Sequence, residues 1–333
     1  TDSWEQAFFH DLDTLRVKRA HHYPRASGHV NDMVEQTRNL LERDLAYEKL
    51  RSVYFRIGSF PGYGQLSRIE PEQMRNSAST SYDYYEKDSP RDFALFKRST
   101  LAELKAGISW RTPWGNARPG WHVECASMAV KYLGQPFDIH TASTDLTFPH
   151  GDNEIAIACG INGKPLAKFW MHSEVVMADG KKVSRGSGND LTLQSLLDAG
   201  FDGPTIRYWL LATHYRKVLK YSREELARAG QCVRRLNEFV VRLREFKSGR
   251  HNPDLDQVVY DAHMGWQQAM DHDLNVSRAL GKLFAFVRHG NRLMNDGKLD
   301  EDQARQVLDV IVQANRIIEI VDLTDERIDS RLE

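Results

Sequence analysis

Two pairs of residues carry the spacing of metal ligands. His122 and Cys125 stand three apart and His150 and Glu154 four apart, so on helices each pair shares one face. Cysteine, histidine and glutamate all ligate zinc, and a site with only three protein ligands keeps a position open for water or substrate, the catalytic pattern. The same spacing also fits an ordinary polar pair at a helix start beside a small buried cysteine; spacing alone leaves both readings open. Cys159 follows Glu154 by five and should point away from that face into the core, and Cys232, in a basic amphipathic stretch, should be buried as well. A second chemical stretch runs from Lys181 to Asn189, rich in glycine, serine and basic groups. That composition suits a clamp over phosphates, and equally a basic surface turn.

The elements that must position these groups follow from periodicity. Residues 2 to 48 read as helices: Trp4, Phe8, Phe9, Leu12 and Leu15 recur at helical spacing, and Val30, Met33, Val34, Thr37, Leu40 and Leu41 do so again. Residues 76 to 90 are polar and turn-rich, a surface loop. From 119 to 215 apolar runs alternate with helical patterns, the mark of parallel strands with crossover helices. Phe137-Asp138-Ile139-His140 is a short buried-strand candidate, and the residues after it should lie at the carboxyl ends of the strands, where such sheets bind ligands. Asp145 is placed there to accept hydrogen bonds from a ribose; with Thr144 beside it, a helix N-cap is the competing role. From Gly203 onward the pattern is helical. Arg207 to Lys247 is the most basic stretch, with Tyr208, Trp209, His214, Tyr215 and Tyr221 interleaved, and residues 256 to 322 form a further helical set.

Read in order, Arg118-Pro119-Gly120-Trp121-His122-Val123-Glu124-Cys125, Phe137 to Glu154, Trp170-Met171-His172, Lys182 to Asn189 and Ala269 to Asn275 make a chain that resembles the cysteinyl-tRNA synthetases, a family of class I aminoacyl-tRNA synthetases. The resemblance implies an α/β fold: the second half of a class I synthetase Rossmann-like fold with a connective insertion and a C-terminal α-helical bundle. It divides the chain into a helical lead-in and connective region at 1–118, a Rossmann-like second half with zinc motif and phosphate loop at 119–215, and a helical bundle of the tRNA stem-contact type at 216–333. It implies zinc held by Cys125, His150 and Glu154 and bound directly to the substrate thiolate, which tells cysteine from serine. Trp121, His122, Asp145 and His172 become pocket residues for cysteine and ATP. Lys182 and Arg185 take the catalytic positions of a weathered Lys-Met-Ser-Lys-Ser loop, stabilising charge as pyrophosphate leaves. Cysteine and tRNA are the implied partners, and the basic stretch the implied RNA surface.

Several residues depart from the family pattern. Thr141-Ala142-Ser143-Thr144 stand where the family has glycines that let ATP approach the backbone. Arg185 replaces the second lysine, keeping charge while changing shape and reach; Gly186 replaces a serine, and Gly151 the family's second histidine. The resemblance begins near Phe8, beyond the His-Ile-Gly-His signature and the upstream cysteine that is the family's fourth zinc ligand. The chain alone is therefore expected to lack both, and the small domain that reads the anticodon. Adenylation is not expected of this chain by itself; a separate N-terminal half subunit, or more of a longer polypeptide, would complete it. Two alternatives stand beside ATP-dependent activation of cysteine and transfer to tRNA: an inactive paralogue used as a binding or scaffolding module, and a ligase joining cysteine to a small amine. Fold cannot separate these.

Composition sets outer bounds. With 333 residues, 41% hydrophobic, the chain can bury a real core and form two or three units. A net charge of -1 gives no overall nucleic-acid signature, so any RNA contact is local. Three cysteines make no disulfide framework, which points to a reducing cytoplasm. No apolar run approaches bilayer length and no secretory leader is visible, so no membrane partner is expected. A start at Thr1 suggests a trimmed piece.

Overall fold

The computed structural model describes residues 2–69, 87–184, 186 and 188–324. The chain divides into two compact units, the first made of residues 1–19 with 174–333 and the second of residues 20–173. Of the expected surface loop 76–90, residues 76–86 lie outside the described residues.

Helix α1 (Asp2–Thr14) forms where the spacing predicts, but it buries none of its residues, and Trp4 and Phe8 are exposed. Helical spacing shows which side chains share a face; it cannot show that anything covers that face. Helix α2 (Val30–Glu42) opens the second unit's elements and does bury its stripe, Val30, Met33, Thr37 and Leu40.

Next comes an antiparallel sheet that periodicity did not reveal. Strands β1 (Ala46–Lys49), β2 (Ser52–Phe55), β3 (Phe93–Arg98), β4 (Trp110–Thr112) and β5 (Gly115–Pro119) lie in the order β1-β2-β3-β5-β4. Strand β2 and the first five residues of β3 are buried or nearly so on both faces, which erases the in-out alternation that marks a half-solvated strand. A short helix, α3 (Leu101–Lys105), opened by a Thr100/Glu103 capping box, bridges β3 to β4.

Gly120 follows β5 and is the N-cap of α4 (Trp121–Leu133). A Cβ at Gly120 would stand 2.1 Å from the Ala94 carbonyl oxygen, so only glycine lets α4 start this close to β3. Strand β6 (Phe137–Ser143), helix α5 (Asp152–Asn162) and strand β7 (Ala167–Ser173) form a β-α-β unit, with β6 parallel to β7 and Ile139 opposite Phe169. The expectation of a buried strand at Phe137–His140 holds only for Phe137: Ile139 is 52% exposed and its neighbour Phe169 66%. Among the described residues β7 is the one strand that pairs with β6, and two parallel strands do not cover their own faces.

The other unit continues with β8 (Val176–Ala178), β9 (Lys181–Lys182), α6 (Leu193–Asp198), α7 (Gly203–Ala212) and β10 (Leu219–Tyr221); β8 pairs parallel with β10 and antiparallel with β9. Helices α8 (Arg223–Glu245), α9 (Leu255–Asp271), α10 (Val276–Asn295) and α11 (Glu301–Ile318) form a bundle. Its core joins Leu236, Phe239, Leu283, Val287, Val307 and Ile311. Arg207 on α7 gathers the segments of this unit: its guanidinium donates to the carbonyls of Leu15 and Arg16 after α1 and of Ile317 and Ile318 at the end of α11. Those carbonyls lack intrahelical partners, and a cation at helix C-termini is also attracted by the negative end of the helix dipole. Cys159 and Cys232 are half-buried rather than core. Among the described residues no helix is long and apolar enough to cross a membrane.

Candidate metal centre

Three elements of the second unit converge on one point. The first turns of α4 supply Trp121, His122 and Cys125. The turn Thr147–Gly151, kinked at Phe148 by extended backbone (φ -127°, ψ 135°), delivers His150 to the start of α5, whose first turn carries Glu154. One ligand atom each from Cys125, His150 and Glu154 lies within 4.8 Å of the others, with His150 and Glu154 buried and Cys125 half-buried. The spacings that share a helix face in sequence thus meet across two elements in space.

The surroundings fix which atoms face inward. His150 Nδ1 is 2.9 Å from His122 Nδ1, while His150 Nε2 is 3.6 Å from Glu154 Oε2. Burial, the nearby His150 and Lys97 hold His122 down to about 3, so it is neutral at pH 7 and its Nδ1 can accept from His150 Nδ1–H. That tautomer leaves the lone pair on His150 Nε2 turned toward Glu154 and Cys125, the arrangement by which a second-layer partner orients a metal-binding imidazole. Burial also lowers His150 against the pull of the Glu154 carboxylate, which keeps it neutral and able to ligate. Trp121, 56% exposed, stacks on the His150 ring at 4.5 Å between centroids, and Phe93 meets His122 edge-on.

His140, part of the Phe137–His140 run, has a place here that sequence reasoning did not assign. Its Nε2 lies 3.1 Å from Glu154 Oε2, and its ring is stacked 4.1 Å from Trp170. The signal was available: strand alternation puts His140 on the face opposite Ile139. The approach lacks hydrogen-bond geometry, so Glu154 Oε2 remains buried without a hydrogen-bond partner, as does the other ring nitrogen of His140, Nδ1. A buried carboxylate oxygen with nothing to accept is costly. The Cys125 thiol is pushed up to about 12 by burial, then by Glu154 and Glu124. A divalent cation between the three donors would answer both strains, and one sulfur, one imidazole and one carboxylate suit zinc.

The remaining residues named from sequence divide by unit. Asp145 follows β6 and His172 stands on β7 beside Ala142, both at the carboxyl ends of the parallel strands. Asp145 is exposed within a 3-10 turn whose N-cap is Ser143, so it is not itself an N-cap, and the Ser143 hydroxyl donates to its Oδ1. His172 lies in a near-parallel stack with Trp170 at 6.1 Å. Lys182 is exposed on β9, in the other unit. Arg185 lies outside the described residues. At Gly151 the wall that a side chain would have made is not open: a Cβ there would stand 2.8 Å from Leu66 Cδ2 and 3.5 Å from the Trp170 ring.

Comparison with known proteins gives the family. Residues 1–231 match the model for the class I (C) tRNA synthetase catalytic domain, and residues 265–320 match the DALR domain. The cysteine-tRNA ligase of Chlamydia pneumoniae is 38% identical over 330 residues, 97% of this chain and 69% of that protein. The chain belongs to the cysteine-tRNA ligase family. A relative from Methanosarcina acetivorans, also named cysteine-tRNA ligase, is 40% identical over 90% of this chain and 64% of its own length; the chain thus spans about two thirds of the length of its relatives. The fold is that of class I synthetases: Mycobacterium tuberculosis methionyl-tRNA synthetase in complex with methionyl-adenylate superposes with a TM-score of 0.61 at 14% identity, over 95% of this chain and 75% of that one. Membership in the family settles the expected fold, a class I synthetase Rossmann-like domain followed by a helical DALR region.

Proposed function

We propose that this chain carries the thiol-selecting part of an ATP-dependent enzyme that activates cysteine and transfers it to tRNA. The observation that carries the reading is the convergence of Cys125, His150 and Glu154 within 4.8 Å in a buried setting. Bound there, zinc would supply the preference for a soft, easily deprotonated sulfur over a hydroxyl. The protein's own groups do the rest. His122 meets His150 Nδ1 and can hold its ring with Nε2 toward the metal, Trp121 forms the exposed wall beside it, and Asp145 and His172 stand where a parallel sheet presents its carboxyl ends to a nucleotide. Lys182, with Arg185, is assigned to the phosphates. The exposed arginines of α8, among them Arg234 and Arg235, are assigned to tRNA phosphates, a contact that weakens with salt. Arg228 is held by Glu225, and Arg242 by Asn291 and Asn295, which leaves them less free for RNA. The three free cysteines suit a reducing compartment such as the cytoplasm.

Completion by a further polypeptide segment, in the same chain or a separate one, belongs to the proposal. The exposed pair Ile139 and Phe169 on a two-stranded parallel sheet supports it, because such sheets persist with both faces covered. A second reading, a paralogue that kept the fold and lost adenylation, is favoured by one contact: the Ser143 hydroxyl occupies Asp145 Oδ1, in a stretch whose side chains narrow the approach to the backbone. Cysteine-dependent exchange of pyrophosphate into ATP tests the choice. Exchange by the chain with its completing segment supports the enzyme, and transfer to tRNA rather than to a small amine fixes the acceptor; no exchange in any combination leaves the paralogue.

A further inference from the structure

Three consecutive residues open α5 fully buried and polar: Asp152, Asn153 and Glu154. Only Glu154 faces the candidate metal. The other two reach the loop 60–67: Asp152 Oδ1 accepts from Leu66 N–H at 3.1 Å, and Asn153 Oδ1 accepts from the Tyr63 hydroxyl at 2.5 Å. The loop is shaped for this position. Gly64 has φ +86°, and a Cβ there would strike the Ile69 carbonyl oxygen at 2.0 Å, so the tight turn before Leu66 needs glycine. Leu66 then places Cδ2 where a Cβ of Gly151 would be, 2.8 Å from it. Gly151 is the residue after His150.

From this packing we infer that Leu66 is a positioning residue for the metal ligands, and that the loop 60–67 is a buttress holding the turn 147–151 so that His150 keeps its aim. The inference rests on the metal reading above and deepens it. It needs no contact between Leu66 and the ion: an imidazole at a kinked turn points where its backbone points, and that backbone is packed from behind by one leucine side chain, while the helix start it leads into is held by two hydrogen bonds, at Asp152 and Asn153. The absence of a side chain at position 151 is what admits the leucine. Close packing transmits small displacements, and ligand-supporting groups commonly govern metal affinity as strongly as a weak ligand does.

The test is zinc affinity, by competition with a chromophoric chelator, and the visible spectrum of the cobalt(II)-substituted chain, for the wild type, Leu66→Ala, Leu66→Met and Tyr63→Phe, with circular dichroism as the control for folding. Leu66→Ala is expected to weaken zinc about ten-fold and to shift the cobalt bands, as loss of a supporting group does. Leu66→Met, which conserves volume, is expected to restore both. Tyr63→Phe, which removes only the hydroxyl, is expected to shift the bands in the same direction and decides the matter should Leu66→Ala fail to fold. Wild-type affinity and spectra in Leu66→Ala and Tyr63→Phe, or a Leu66→Met variant as impaired as Leu66→Ala, overturn the buttress while leaving the metal reading intact. A wild-type chain that binds no zinc overturns both.

Discussion

Zinc affinity should rise with pH through a single proton, the one on Cys125. Among the three donors this thiol is the group that burial, Glu154 and Glu124 hold protonated, up to about 12, while His150 is held low by burial and is already neutral at pH 7. Only thiolate ligates, so each ion bound at neutral pH expels one proton, and the apparent affinity gains tenfold, about 1.4 kcal/mol, per pH unit. An ordinary thiol would level off once the pH passed its own value near 9.0; the Cys125 thiol continues to climb. From pH 7 to pH 9 the gain is about 100-fold, or about 2.7 kcal/mol. The assay is chelator competition between pH 6.5 and 9.5, paired with calorimetry in buffers of different ionisation heat to count the proton. A slope near zero, or a Cys125→Ser variant that keeps the slope, refutes the reasoning. The metal-free chain responds with the opposite sign. Between about 9 and about 12 the unfolded thiol loses its proton while the folded one retains it, so the folded state binds more protons and stability falls as pH rises through that window.

Three further outcomes rest on the same contacts. Zinc should change the fluorescence of Trp121, whose ring stacks on His150, and Trp121→Phe should abolish that component without removing metal. Arg207→Met should lower stability by about 2–4 kcal/mol in urea denaturation, because its guanidinium satisfies four helix-end carbonyls and charged hydrogen bonds are the strong ones; an unchanged midpoint contradicts this. Asp273 accepts from Arg216 and Tyr215, which hold it down to about 2. The junction of α9 and α10 should therefore keep its hydrogen-exchange protection down to about pH 4 and lose it as the pH falls through about 2, and Asp273→Asn should remove that dependence.

The features legible in the sequence and those hidden from it differ in physical kind. The pair His150 and Glu154 was legible because helical spacing is a local rule, and Cys125 because its neighbours form part of a recognisable run. His140 stood in plain view, yet its approach to Glu154 depends on how β6 packs over α5, which spacing does not encode. Leu66 and Tyr63 were further out of reach, since their partners lie roughly ninety positions away. The antiparallel sheet escaped because β2 and most of β3 are covered on both faces, and α1 misled because an apolar stripe announces a face without announcing its cover. Asp145 sits at the strand end expected for a ribose ligand, yet its bond to Ser143 is a contact that strand spacing does not encode.

Metal content is the most direct test of the central claim. Purified without chelator and dialysed against trace zinc, the chain is predicted to hold one equivalent by plasma emission spectrometry, and Cys125→Ser, His150→Ala and Glu154→Ala are each predicted to lose it while retaining their circular dichroism. One equivalent of zinc in all three variants, or none in the wild type, would contradict the account.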